Sequence, residues 1–494
     1  MTSELSIAQP AKSNGGIQLK KELGLFSAVN FILAIMIGSG IFVSPASALK
    51  YSGSVGMCLV VWVTCGLISL LGALAYAELG PLVPRSGSEY AYFVDSFGPL
   101  HKFWGHLPAF VYSWIMILVI RPAEVAILVL TFSQYLCQPI LDMLCMEDPV
   151  HADRMIKSLA LAALGIITYI NATSVKMYVN LQNVFGFFKI LACLVVIVGG
   201  LYEIILGNTM NLSNGFEGTS TSPKDIALAF YCGLWAYDGW SGVTIVTEEI
   251  RRPEVNILRS ILIAVPIVTI LYVFMNVAYM SVLTQQEMIT AHDQQQAVAV
   301  LFGERVLGST SFLIPLGVAL STFGCALTLQ FGVTRLCYVS GQDGFMLESL
   351  CYVHYKRLTP APAVILQGLI SFAFILAGDI QELIEFASFL IWFFYGVAMI
   401  SLLVLRKTRK NANRPYKVPV IIPVFILLIS IYLSVAPIIL EPSPKYLMAV
   451  IFMLFGGLVY YWFVYQNRKP ERLMGSVTRY IQLLFQVVPP STES

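Results

Sequence analysis

Met36-Ile37-Gly38-Ser39-Gly40-Ile41 and Gly233-Leu234-Trp235-Ala236-Tyr237-Asp238-Gly239 interrupt two otherwise apolar stretches, and the reading of these two strings decides the fold. Glycine lowers the cost of leaving helical geometry, so each string can mark a helix that unwinds partway. Taken singly, either string can equally be read as small-residue helix packing. Two of them, in the first and sixth apolar segments, fall on corresponding helices of two five-helix halves. That is the signature of an inverted-repeat transporter with a binding site at mid-membrane. Unwound helix ends expose amides and carbonyls that can hold the two ends of a zwitterion.

The rest of the chain sets these strings in a membrane. Of its 494 residues 57% are hydrophobic and only 12% charged, and the mean hydropathy is +0.77; a soluble chain carries about twice that charge. Apolar blocks such as 55–83, 179–205 and 446–463 are long enough to cross as helices, which satisfy their own backbone in lipid. They lack the alternation of a membrane barrel. About twelve spans are expected, near 27–49, 55–83, 104–136, 156–170, 179–205, 225–246, 256–283, 312–339, 362–377, 380–405, 420–440 and 446–463. The first 20 residues are polar with no cleavable signal. Lys20, Lys21, Arg251, Arg252, Lys356, Arg357, the run 406–417 and the run 468–472 fall on one side, which the positive-inside rule makes the cytosol. Both termini then lie in the cytosol. The expected layout is a tail (1–22), a first repeat of spans 1–5 (23–205), an external loop (206–224), a second repeat of spans 6–10 (225–405), spans 11 and 12 (406–466), and an amphipathic C-terminal segment (467–494).

A net charge of +2 points to no nucleic acid, and there is no zinc spacing, phosphate-cradling loop or catalytic triad. The pattern is not that of an enzyme, and it calls for no cofactor or metal. Cys58, Cys65, Cys193, Cys232, Cys325 and Cys337 lie inside spans and read as small packing residues. Cys137 ends the third span, Cys351 falls in a cytosolic loop, and Cys145 alone lies in the external loop 141–155. An unpaired external thiol is either an intermolecular disulfide or a free surface thiol.

Charges inside spans are functional candidates, because burial there costs several kcal/mol unless they are paired or hydrated. Arg121 and Glu124 stand three residues apart on the third span and can neutralise each other. Lys189 in the fifth span and Asp238 in the sixth have no partner nearby in sequence. A fixed ammonium can replace a coupling cation, and a carboxylate beside the ligand favours a cationic side chain. Of the two glycosylation sequons, Asn171-Ala172-Thr173 falls on the cytosolic side and Asn211-Leu212-Ser213 on the external side.

The strings Ile37 to Pro45, Tyr76-Ala77-Glu78-Leu79-Gly80, Gly233 to Trp240 with Val246-Thr247-Glu248-Glu249, and Val487-Val488-Pro489-Pro490 resemble the light chains of heteromeric amino-acid transporters. The resemblance runs from about Leu23 to Pro490. These light chains are L-type members of the amino acid-polyamine-organocation superfamily, which implies an all-α membrane protein with a LeuT-like five-plus-five inverted repeat and two further helices. It also implies that the substrate carboxylate binds the Ser39 hydroxyl and the Gly40 and Ile41 amides. The substrate amino group then binds carbonyls of Met36, Trp235 and Asp238, with Trp235 as the gate. Lys189 matches the lysine that stands in for a coupling ion, so exchange is expected to be sodium-independent. Cys145 matches the cysteine joined by a disulfide to a single-span glycoprotein heavy chain at the plasma membrane. Within the family, the string 233–240 is most similar to the broad-specificity exchanger of cystine, basic and neutral amino acids. Ile391 occupies the place of an arginine in the cystine-glutamate exchanger, which argues against an anionic substrate. Glu124 departs from the family pattern, and a second acid can either favour a basic substrate or only neutralise Arg121. The expected function is antiport of neutral and basic amino acids by alternating access. The alternatives are an exchanger of large neutral amino acids alone and a transport-inactive amino-acid sensor.

Overall fold

The structure is a computed structural model and describes residues 23–143, 148–293, 298–377, 380–440, 444–468 and 471–489. Eight helical segments among these are long and apolar enough to cross a membrane: Val55–Leu82, Leu107–Cys137, Val150–Thr173, Val175–Ile205, Pro253–Val282, Leu313–Gln342, Leu390–Thr408 and Tyr446–Tyr465. Leu25–Met36 and Gly40–Ser52, bent by 47° at a short break, form one more. Ala361–Ala377 and Ile421–Ala436 are shorter apolar helices. Pro223–Ala236, continued after a break by the 3-10 helix Gly242–Glu249, is the second interrupted crossing. In chain order these supply the twelve expected segments, numbered first to twelfth below.

Local chemistry starts several of them. Ser54, Ser174 and Ser222 accept a backbone N–H of the first turn of the second, fifth and sixth spans, and Pro223 opens the sixth at a position where a missing N–H costs nothing. The fifth span shows how the faces divide. Gln182, Gly186, Lys189, Cys193 and Gly200 lie on its buried face, while Phe187, Leu191, Leu194 and Val198 stay exposed at helical spacing on the other. In water that apolar stripe would be a liability; against acyl chains it is the solvated face.

The packing pairs spans five positions apart. The second segment of the first span lies on the sixth, the second span on the seventh, the third on the eighth and the fourth on the ninth. This is the arrangement expected of two repeats that interlock around a common centre. The eleventh span leans on the tenth, and the twelfth on Leu107–Ile115 at the start of the third. The remaining sheet is a two-residue antiparallel pair, Val353–His354 with Val487–Val488, which fastens the end of the C-terminal helix Glu471–Phe485 to the segment before the ninth span. Ile481 and Phe485 of that amphipathic helix pack against the body, while Leu484 is 59% exposed.

Candidate functional site

The first span unwinds at Ile37 to Ser39. Ile37 leaves helical geometry at φ −81° and ψ 79°, and a new helix starts at Gly40. The carbonyls freed at the end of Leu25–Met36 are met by donors from three other spans. Lys189 Nζ donates to Ala34 O at 2.6 Å and Ile37 O at 2.8 Å, and its side chain is fully packed away. Ser321 Oγ donates to Ile37 O at 2.9 Å, and Cys325 Sγ lies 3.4 Å from Ile35 O. Tyr272 OH donates to Met36 O at 2.6 Å and also reaches Ala236 O at 3.2 Å, so a single hydroxyl ties the two breaks together. Cys325 thus does more than fill space. On the far side of the break, the first turn of Gly40–Ser52 presents amides that have no acceptor within their own helix.

The sixth span stays helical through Ala236, turns at Tyr237 and Asp238, and passes Gly239 at φ +104° before resuming as Gly242–Glu249. Gly233 was expected inside the break and is helical instead. A methyl there would stand 2.7 Å from Cys65 Sγ, so this glycine serves close packing with the second span. The glycines that matter to the breaks do so by contact as well as by torsion. A Cβ on Gly40 would lie 2.7 Å from Ala236 Cα, and one on Gly239 would lie 2.3 Å from Ile35 Cγ2. The two broken helices therefore cross backbone against backbone, which no other residue permits.

Trp235 and Asp238 line a small cavity with Tyr231, Leu234, Ile391 and Trp392. Asp238 Oδ1 accepts a 2.6 Å hydrogen bond from Tyr395 OH of the tenth span. A second small cavity lies among the first, third and eighth spans and is bordered by Ile35, Tyr112, Arg121, Ile245 and Thr328. Arg121 follows a π-helical turn, Met116–Ile120, and its Nη1 donates to Glu124 Oε2 at 2.7 Å. The self-neutralising pair open in the sequence is therefore formed. Arg121 and Asp238 are close enough to interact electrostatically without a direct contact.

The sites expected from sequence are thus largely brought together: Met36, Ser39, Gly40 and Ile41 at one break, Trp235 and Asp238 at the other, and Lys189 behind the first. The expected carbonyl acceptors are partly engaged, since Trp235 O receives Asp238 N at 3.1 Å and Met36 O receives Tyr272. Met36 O also receives Gly38 N at 2.9 Å, so both of its lone pairs are engaged. Cys145 and Pro490 lie outside the described residues. Tyr272, Tyr395 and Ser321 were not singled out in the sequence; their signal was a hydroxyl in the middle of an apolar span. Glu89 was missed as well. It is buried and accepts Tyr76 OH at 2.7 Å and Tyr112 OH at 2.8 Å.

Residues 23–469 match the family model described as amino acid permease. The chain belongs to that family, on the branch of the heteromeric amino-acid transporter light chains. It is 44% identical to the b(0,+)-type amino acid transporter 1 of Mus musculus, over 96% of this chain and 94% of that protein. It is 37% identical to the Homo sapiens cystine/glutamate transporter over 96% and 92% of the two chains. It is likewise 37% identical to the large neutral amino acids transporter small subunit 2 of Mus musculus, over 94% and 85%. It is a multi-pass membrane protein and a transporter by family, not an enzyme.

The remaining motifs of this permease serve as clamps at one end of the bundle. Glu78 of Tyr76-Ala77-Glu78-Leu79-Gly80 is buried and accepts Arg406 Nε at 3.0 Å and Val418 N at 2.8 Å, fixing the segment after the tenth span. Glu249, from the string that ends the sixth span, pairs with Arg335 at 2.8 Å, and the Arg335 guanidinium lies over the Phe331 ring. Leu23 N donates to Glu249 O and Arg251 N to Leu23 O, so the first and sixth spans are stitched at the same end. Beside them Arg85 and Asp343 join at 2.9 Å. Asn171 is 2% exposed and donates to Leu327 O and Gln330 Oε1, which leaves its sequon no room for a glycan.

Proposed function

We propose that this permease is a sodium-independent antiporter that exchanges neutral and basic amino acids by alternating access. The observation that carries the reading is the backbone crossing of the two breaks at Gly40 and Ala236, with Asp238 on an adjoining cavity wall. The substrate carboxylate takes the Ser39 hydroxyl and the amides of Gly40 and Ile41, and its amino group takes the carbonyls of Met36, Trp235 and Asp238, replacing one of the two donors on Met36 O. Trp235 gates the cavity above it. Lys189 supplies a fixed ammonium where a coupling cation would otherwise order the break. Because Glu124 satisfies Arg121, Asp238 is the acid left for a cationic side chain, and Ile391 on the same wall offers nothing to an anionic one. Two repeats, 23–205 and 225–405, rock about this centre, with both termini in the cytosol and the chain in the plasma membrane. The names of the relatives support amino acids as the cargo, and one of them is named as a small subunit.

Counterflow tests this reading. Proteoliposomes preloaded with leucine should take up labelled arginine, in sodium or choline alike, while empty ones should not. Uptake into empty vesicles, or collapse in choline, contradicts antiport or sodium independence respectively. Exchange of leucine without arginine selects the large-neutral reading, and binding without uptake selects the sensor. The partner is a single-span glycoprotein heavy chain bonded at Cys145. Cys145→Ser should abolish a reducible high-mass band on non-reducing electrophoresis; persistence of that band would move the link to another cysteine.

A further inference from the structure

Glu124 borders neither of the two cavities, yet it fixes the charge between them. Its partner Arg121 borders the cavity among the first, third and eighth spans, and Asp238 borders the one at the sixth. The Arg121 and Glu124 side chains are 11% and 7% exposed, so their 2.7 Å contact is scarcely screened by solvent. Arg121 also lies within electrostatic range of Asp238 and Tyr395. The guanidinium touches Glu124 and acts on Asp238 only across space. We propose that Glu124 is a specificity-determining residue, which holds Arg121 in an ion pair on the third span and so keeps Asp238 uncompensated for the cationic side chain of a basic amino acid.

The charge count carries the argument. Arg121, Glu124 and Asp238 together sum to −1, so a lysine or arginine side chain entering beside Asp238 brings the group to neutrality. Without the Glu124 charge the group is already neutral, and the same side chain enters as an excess cation in a medium of low dielectric. A neutral substrate is indifferent to this difference. Glu89, the other buried acid in the neighbourhood, is held by two tyrosine hydroxyls and is the same in both cases. Glu124 is thus a positioning residue. It contacts no substrate, and it acts by choosing the partner of Arg121.

This inference rests on the reading of the protein as an exchanger of neutral and basic substrates, and the two can fail separately. The test uses the full chain in cells, with arginine and leucine competing against labelled leucine and rates normalised to surface protein. Glu124→Gln should lower the arginine-to-leucine affinity ratio by about tenfold, the size of one charge-assisted contact. The double variant Arg121→Gln with Glu124→Gln should regain most of the wild-type ratio, because no spare cation remains to satisfy Asp238. An unchanged ratio in Glu124→Gln, or a double variant as poor in arginine as the single, overturns the proposal. If Glu124→Gln does not reach the surface, Arg121→Gln decides: with the cation removed the arginine-to-leucine ratio should rise severalfold, and an unchanged or lowered ratio overturns the proposal. Wild-type protein that takes leucine but no arginine would instead defeat the functional reading itself, a failure visible before any variant is made.

Discussion

Both breaks are interruptions of an apolar helix beside a glycine, and they are finished in opposite ways. At the first, four side chains from the fifth, seventh and eighth spans converge on the freed carbonyls: Lys189, Tyr272, Ser321 and Cys325. At the sixth, the break carries its own polar group, Asp238, which borders a cavity and is touched by one tyrosine. The first break is therefore a fixture whose geometry is over-determined, suited to the part of an amino acid that never varies. The sixth holds a charge in reserve, suited to the part that does. A site can be rigid toward the backbone of its ligand and selective toward the side chain only if these tasks fall on different elements.

That contrast can be broken most forcefully at Lys189. Lys189→Ala removes two charge-assisted bonds and leaves a cavity, a loss on the order of 3 kcal/mol. Exchange per surface molecule should fall by about a hundredfold in sodium and in choline. Activity near wild type would show that the first break needs no fixed cation. Gly40→Ala comes next. Its methyl would overlap Ala236 Cα, and overpacking of this kind costs roughly 1–3 kcal/mol, seen as a lower melting temperature in detergent. Gly457→Ala is the control, since a Cβ there meets nothing within 4 Å; equal shifts for the two variants would remove the crossing from the account.

Asp238→Asn sharpens the comparison from the other side. It should weaken arginine relative to leucine by about tenfold, where a mere capping role predicts both falling together. The smallest effect is expected at Arg305, far from either break. The Arg305 guanidinium, with Thr284, holds the Glu287 carboxyl down at about 2, below its usual 4.5. A carboxyl depressed in the folded state stabilises it above the ordinary value and loses that contribution as pH falls toward the depressed one. Both side chains are partly exposed, so Arg305→Gln should cost less than about 1 kcal/mol near neutrality, with the difference from wild type shrinking below about pH 4 and vanishing only below about pH 2. A constant difference across that range would show that the pair is not its source.

The spans were legible because lipid demands long uniform apolar runs, and the breaks because glycine pairs recur at corresponding places. What the glycines were for was less legible. Gly233 and Gly40 look alike in a sequence, yet one packs against Cys65 and the other lets two backbones touch. Lys189 and Asp238 stood out because a charge in an apolar run is costly wherever it points. Tyr272 did not, because a tyrosine is at home in a membrane helix, and nothing local says that its hydroxyl meets a carbonyl 236 residues away. The same holds for Tyr395 and Glu89, whose partners come from other spans.

The division of labour between the breaks is tested most directly by a structure of the protein with arginine bound. The α-carboxylate should sit on the Gly40 and Ile41 amides at the first break, and the guanidinium within about 3 Å of the Asp238 carboxylate at the sixth. Arginine lying with its side chain away from Asp238, its guanidinium held elsewhere, would contradict the account.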